Sequence, residues 1–138
     1  MRPGDLPPTR TGKFRWAAFA DAMRGLGHVF TTQPNARFHV WAALAAVLLA
    51  SGLHFAAGEW AVLCLSITLV WVSEVVNTAL ESVVDLASPE IHPLARYAKD
   101  AAAGAVLLAA VSSIIIGLLL FVPKLWRWFA DMSGPHHG

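Results

Sequence analysis

Glu74, Asn77, Thr78, Glu81 and Asp85 recur at steps of three and four residues, which on a helix gathers them into one sector of roughly 100°. Carboxylates joined by an amide carbonyl form a hard-oxygen donor set, suited to Mg²⁺ rather than zinc. The residues around them are apolar, and an ionisable side chain near hydrocarbon costs several kcal/mol unless it is paired or hydrated. Such a stripe therefore points to a functional site. The competing structural reading is that Glu74 and Glu81 pair with basic residues such as Arg37 or Lys99 to hold helices together. Against it, acids outnumber the basic residues available at that depth, and Asn77 adds a further carbonyl oxygen.

Downstream, Lys99 and Asp100 open an apolar helix. A lysine at a helix start opposes the macrodipole, so helix stability does not explain it, and an ammonium beside a carboxylate cluster is suited to holding phosphate. The small residues that follow, Ala101, Ala102, Ala103, Gly104 and Ala105, let a neighbouring helix or a ligand approach closely. No phosphate-binding glycine loop of the soluble kinases occurs, so phosphoryl transfer would need another scaffold. His92 reads as a capping or hydrogen-bonding residue. His39 and His54 flank the first apolar span and read as interfacial. Cys64, the one cysteine in the sequence, lies in an apolar run and excludes a disulfide framework.

The elements that must position these residues follow from where charge is missing. The chain has 138 residues, 57% of them hydrophobic and 14% charged, and its mean hydropathy is +0.57. Phe38 to Gly58 and Ala101 to Val122 carry no formal charge over 21 and 22 residues. At about 1.5 Å per residue each crosses a hydrocarbon core of roughly 30 Å. Between them, the apolar run Trp60 to Ser73 continues in helical pattern through the acid stripe, and no glycine or proline interrupts Glu59 to Ser88.

The expected organisation is an all-α integral membrane protein. It has a flexible N-terminus (1–12), a membrane domain (13–125) and a C-terminal tail (126–138). Within the domain, a surface helix at 13–31 precedes spans at 36–57, 59–86 and 97–122, with a tight turn near Gly58 and a polar connection from Asp85 to Asp100. In the surface helix, Trp16, Phe19, Ala20, Met23, Leu26 and Phe30 share one face and Lys13, Arg15, Asp21, Arg24 and His28 take the other, the pattern of a helix lying in the membrane interface. Eight Lys and Arg residues fall on the N-terminal side of the membrane and two, Lys124 and Arg127, on the other. The N-terminus and the Asp85 to Asp100 connection are thus expected in the cytoplasm. Trp126, Trp128 and Phe129 read as an interfacial aromatic belt. A formal charge of +1 excludes nucleic acid as an electrostatic partner.

The run from Glu74 through Asn77, Thr78 and Glu81 to Asp85, then Ser88-Pro89-Glu90-Ile91-His92-Pro93-Leu94-Ala95, then Ala98-Lys99-Asp100, closely resembles the signature of the small prokaryotic diacylglycerol kinase family. The likeness runs from about Phe19 to Leu125 and is most like the undecaprenol kinase branch. It implies a homotrimer of three-helix subunits in the prokaryotic cell membrane. Each would use ATP and Mg²⁺ to phosphorylate a lipid alcohol on the cytoplasmic side, with undecaprenol as the favoured acceptor and diacylglycerol as the alternative. By matching position it makes Glu74 the general base and Glu81 a metal ligand. Asn77 becomes an active-site amide, Lys99 a phosphate contact, and Asp85 and Asp100 their polar companions. Gln33 stands where the family usually has an acid that resembles a second metal ligand, and Phe14 where it usually has a basic residue. A non-catalytic membrane assembly of the same fold is the rival reading.

Overall fold

The computed structural model describes residues 13–88 and 92–133. The segments 1–12, 89–91 and 134–138, with Pro89, Glu90, Ile91, His136 and His137, lie outside the described residues, as do the side chains of Lys13, Phe14, Arg15 and Ser133. Four helices, and no strand among the described residues, follow in the order α1 (Lys13–Thr32), α2 (Pro34–Gly52), α3 (Ala57–Ala87) and α4 (Pro93–Ser133).

Pro34 sets the α1–α2 corner. The residue before a proline is pushed out of helical geometry, and Gln33 is extended at φ −102°, ψ 110°, while Pro34 occupies the first turn of α2, where its missing N–H is not needed. α1 closes with the Gln33 N–H on Val29 O at 2.9 Å, and the hydroxyls of Thr31 and Thr32 donate back to His28 O at 3.0 and 2.8 Å. Val29 is buried, while Trp16, Phe19, Met23, Leu26 and Phe30 leave one apolar face of α1 uncovered.

The turn between α2 and α3 does not lie near Gly58 as expected. It is made by Leu53–Ala56, so α2 ends at Gly52 and Gly58 sits in the first turn of α3. A charge-free stretch counts turn residues as well as helix, which is why it overran the end of α2. His54 takes φ 51°, which swings the chain round, and Phe55 is buried beneath it. The Phe55 ring meets Trp60 at 6.0 Å and Phe121 at 4.9 Å between centroids, and packs with Ala50 and Leu63. The Glu59 carboxylate accepts the Ala56 N–H at 2.6 Å, capping the first turn of α3.

α3 and α4 form the main pair and run antiparallel, with α1 and α2 packed more lightly against them. Three polar links pin the pair along its length. Lys124 Nζ meets Glu59 Oε2 at 2.9 Å, and Lys99 meets Asp85 at the opposite end. Between them the Ser66 and Ser113 hydroxyls bond at 2.8 Å, with Ser113 also donating to Ser66 O at 3.1 Å. Lys124 further donates to His54 O and lies 5.1 Å from the Phe55 ring centroid, so it ties the α2–α3 turn to α4.

His92 acts as the cap that its position suggested: its Nδ1 accepts the Leu94 N–H at 3.2 Å, and its carbonyl receives Arg96 N–H at 3.1 Å. α4 starts at Pro93, earlier than the apolar span, and continues through Pro123 to Ser133, including residues read from sequence as a tail. Beyond Pro123 no further proline or glycine occurs before Gly134, so nothing in the local sequence stops it.

Two of the four helices, α3 and α4, are long and apolar enough to cross a membrane, at mean hydropathies of 1.7 and 2.8. α2, at 19 residues, does not meet that criterion. No large side chain is fully buried among the described residues, whereas Leu65, Leu107, Leu108, Ile114 and Leu119 stand more than half exposed. The single chain therefore leaves its apolar faces without a protein cover.

Candidate active site

The acid stripe falls on the half of α3 nearest the α1–α2 corner. Glu74, Asn77 and Thr78 are buried, Glu81 is half-buried and Asp85 is exposed, so the stripe grades from interior to surface. Thr78 donates its hydroxyl to Glu74 O at 2.9 Å, and Ser82 does the same to Thr78 O. These hydroxyls are spent on their own helix and leave the acids and the amide as the reactive groups.

Asn77 Nδ2 donates to Glu81 Oε1 at 3.0 Å. That bond fixes the carboxylate and leaves Asn77 Oδ1 buried without a hydrogen-bond partner among the described residues. Glu74 Oε1 is in the same condition: buried, with no aligned donor, although His39 Nε2 approaches to 3.3 Å. An orphaned buried acceptor is costly, roughly 1–3 kcal/mol. Two side by side on one stripe mark a place built for something else to occupy.

Neither acid is neutralised by the basic residues proposed for a purely structural role. Among the described residues Lys99 pairs with Asp85, and Arg37 makes no ion pair with Glu74 or Glu81. Lys99 and Asp85 are thus brought together at the outer end of the stripe. Asp100 is placed differently: it is exposed and lies 3.7 Å from Arg96 Nε, one turn back on α4. Gln33 is half-buried at the α1–α2 corner, and its side chain makes no hydrogen bond to another described residue. His39, read from sequence as interfacial, instead turns its imidazole onto Glu74.

A hollow of about 360 Å³ lies beside Asn77, walled by Val76 and Leu80 of α3 and by Ala98, Ala101, Ala102 and Ala105 of α4. A Cβ on Gly104 would meet nothing within 4 Å, so the small-residue stripe at that position borders open space rather than another helix of this chain. No group of three His, Cys, Asp or Glu side chains converges among the described residues. The donors present, Glu81 and the orphaned Asn77 Oδ1, nevertheless fit Mg²⁺. That ion usually keeps several waters and takes one or two carboxylates plus phosphate oxygens rather than an all-protein cage.

The fold and site thus describe a helical, apolar protein with acids and an amide at one end. The chain belongs to the prokaryotic diacylglycerol kinase family, a class of lipid kinases, whose family model matches residues 20–121. It is 44% identical over 130 residues to a diacylglycerol kinase of Synechocystis, covering 90% of this chain and 74% of that protein. It is also 44% identical over 108 residues to the undecaprenol kinase of Bacillus subtilis, covering 78% of this chain and 88% of that protein. A diacylglycerol kinase of Escherichia coli K12 is 34% identical over 106 residues, covering 77% and 84%.

Proposed function

We propose that this protein transfers the γ-phosphate of ATP to the hydroxyl of a membrane lipid alcohol, with undecaprenol as the favoured acceptor. The observation that carries the reading is the pair of orphaned buried oxygens, Glu74 Oε1 and Asn77 Oδ1, at the inner end of a stripe that ends in the Lys99–Asp85 pair. Phosphoryl transfer needs a positioned hydroxyl, a cation among the phosphate oxygens and positive charge near the transferred group.

In this reading Glu74, the deepest acid, takes the proton of the lipid hydroxyl as that oxygen attacks. Glu81 and Asn77 would hold Mg²⁺, with Gln33 as a neutral third ligand from the α1–α2 corner. Bound there, the ion neutralises phosphate charge. Lys99 contributes its ammonium to the phosphates, while Asp85 and Asp100 keep the basic side chains near them oriented.

The same proposal sets the protein in the prokaryotic cell membrane with α2, α3 and α4 spanning and α1 lying along the cytoplasmic surface. The uncovered apolar faces and the hydropathy of α3 and α4 support it, as does the Lys and Arg count. The open space beside Gly104 leaves room for a neighbouring copy, and the family resemblance supplies the number three, a homotrimer in which each site borders the next copy.

The His92-Pro93-Leu94-Ala95 connection and the Bacillus subtilis relative favour undecaprenol. The equally similar Synechocystis protein keeps diacylglycerol as the second reading. Purified protein in micelles, given MgATP and either lipid separately, decides between them. Preferential labelling of undecaprenol by γ-phosphate is the expected result, and preferential labelling of diacylglycerol would replace it. Transfer to neither lipid would leave the non-catalytic assembly.

A further inference from the structure

A buried base must lose its proton once per turnover, and Glu74 has few outlets. Its carboxylate is 4% exposed, and the imidazole of His39, 20% exposed, reaches it from α2 with Nε2 at 3.3 Å from Oε1. Among the described residues the surrounding elements offer no substitute. On α3 the next acid, Glu81, lies two turns away and is held by Asn77. α4 carries no titratable residue from Ala101 through Pro123. On α1, Asp21 and Arg24 bond each other, and His28 is exposed. Arg37, two residues before His39, is exposed and permanently charged.

His39 also has a way out. At 20% exposure its imidazole is the partly open neighbour of the buried acid, at the α1–α2 end of a mostly apolar groove of about 340 Å³ that it lines with Phe38, Val70, Trp71 and Phe121 between α2, α3 and α4. An imidazole accepts a proton on one nitrogen and releases one from the other, which suits it to a relay.

Building on the reading of Glu74 as base, we propose that His39 is a positioning and proton-relay residue. The lipid hydroxyl oxygen bonds to the γ-phosphorus as the bond from that phosphorus to the bridging oxygen of ADP breaks, its electron pair leaving on ADP. The hydroxyl proton goes to Glu74, passes to His39 Nε2, and an equivalent proton leaves the imidazole for water. His39 can receive it only as the neutral imidazole.

Glutamine at position 39 keeps a polar side chain beside Glu74 but cannot carry a proton. In the assembled protein, His39→Gln and His39→Ala are expected to lower kcat by about tenfold or more, with the KM for MgATP within about twofold of wild type. The pH profile of kcat should change shape in both. Free imidazole should restore the alanine variant, increasingly as pH rises and imidazole loses its proton. In a Glu74→Gln background, His39→Gln should cost less than about twofold more. Wild-type kcat in His39→Gln, no imidazole rescue, or an undiminished loss in the Glu74→Gln background would each overturn the relay. The two readings separate cleanly. If Glu74→Gln keeps full activity, the base assignment falls and takes the relay with it. If Glu74→Gln is inactive while His39→Gln is not, the relay alone falls.

Discussion

Asn77 and Glu81 are joined by a 3.0 Å hydrogen bond one turn apart on α3, the amide nitrogen donating to the carboxylate. The bond restrains two flexible side chains and leaves the amide oxygen buried without a hydrogen-bond partner among the described residues.

That pair should set the Mg²⁺ requirement. Glu81→Gln is expected to raise the Mg²⁺ concentration for half-maximal activity by roughly 10–100-fold and to weaken MgATP. Gln33→Glu should lower it, since a charged oxygen replaces a neutral one. Mg²⁺ titration of both variants beside wild type checks this, and three superposable curves would remove the metal assignment.

Glu74 should behave differently. Glu74→Gln keeps the shape and removes the base, so kcat is expected to fall by about 10²–10⁴ with the KM for MgATP nearly unchanged. A rise in that KM at unaltered kcat would move the base role to another residue. Steady-state kinetics across both substrates measures the split.

Orientation is testable through cysteine accessibility, after Cys64 is replaced by alanine to clear the background. A cysteine introduced at Leu94 should react with an impermeant reagent only from the cytoplasmic side, and one at Met132 only from the other. Reversed labelling at both positions would detach the site from cytosolic ATP.

Subunit mixing addresses the trimer. A Glu74→Gln subunit combined with one altered on the α1 surface, for example at Arg24, should recover activity if sites are shared between copies. Well-folded mixtures without complementation would confine each site to one subunit.

The Lys124–Glu59 pair makes a prediction about stability alone. Its side chains are 17% and 29% exposed, and Lys124 serves three partners at once. Lys124→Met is expected to lower stability. Thermal unfolding in detergent would show a lowered Tm, with kcat of the surviving folded protein unchanged.

How far the sequence carried depended on whether an interaction is local. The stripe from Glu74 to Asp85 was legible because steps of three and four define a helix face without reference to any other element, and His92 was legible as a cap because Pro93 marks the helix start. The His39–Glu74 approach was not, because 35 positions separate the two and the rotation of α2 against α3 is written in no spacing. The available signal was an ionisable ring inside a charge-free stretch, read as interfacial. The α2–α3 turn was misplaced for a related reason. Absence of charge describes polarity, whereas the turn depends on His54 accepting a left-handed backbone and on Phe55 folding under it.

The two ion pairs at the ends of the α3–α4 couple also act as a gauge of bilayer thickness. Glu59 and Asp85 are 26 positions apart on α3, and their partners Lys124 and Lys99 are 25 apart on α4. Either interval is close to 39 Å along a helix, longer than a hydrocarbon core of roughly 30 Å and shorter than the ~40–45 Å that includes both headgroup layers. With the couple upright across a bilayer, each pair would sit among headgroups on its own side, and the matched intervals favour one register of the two helices. A thinner membrane must then be met by tilting the couple as a unit. In the proposed membrane orientation, acyl-chain length would then set the angle at which the acid stripe meets the bilayer surface.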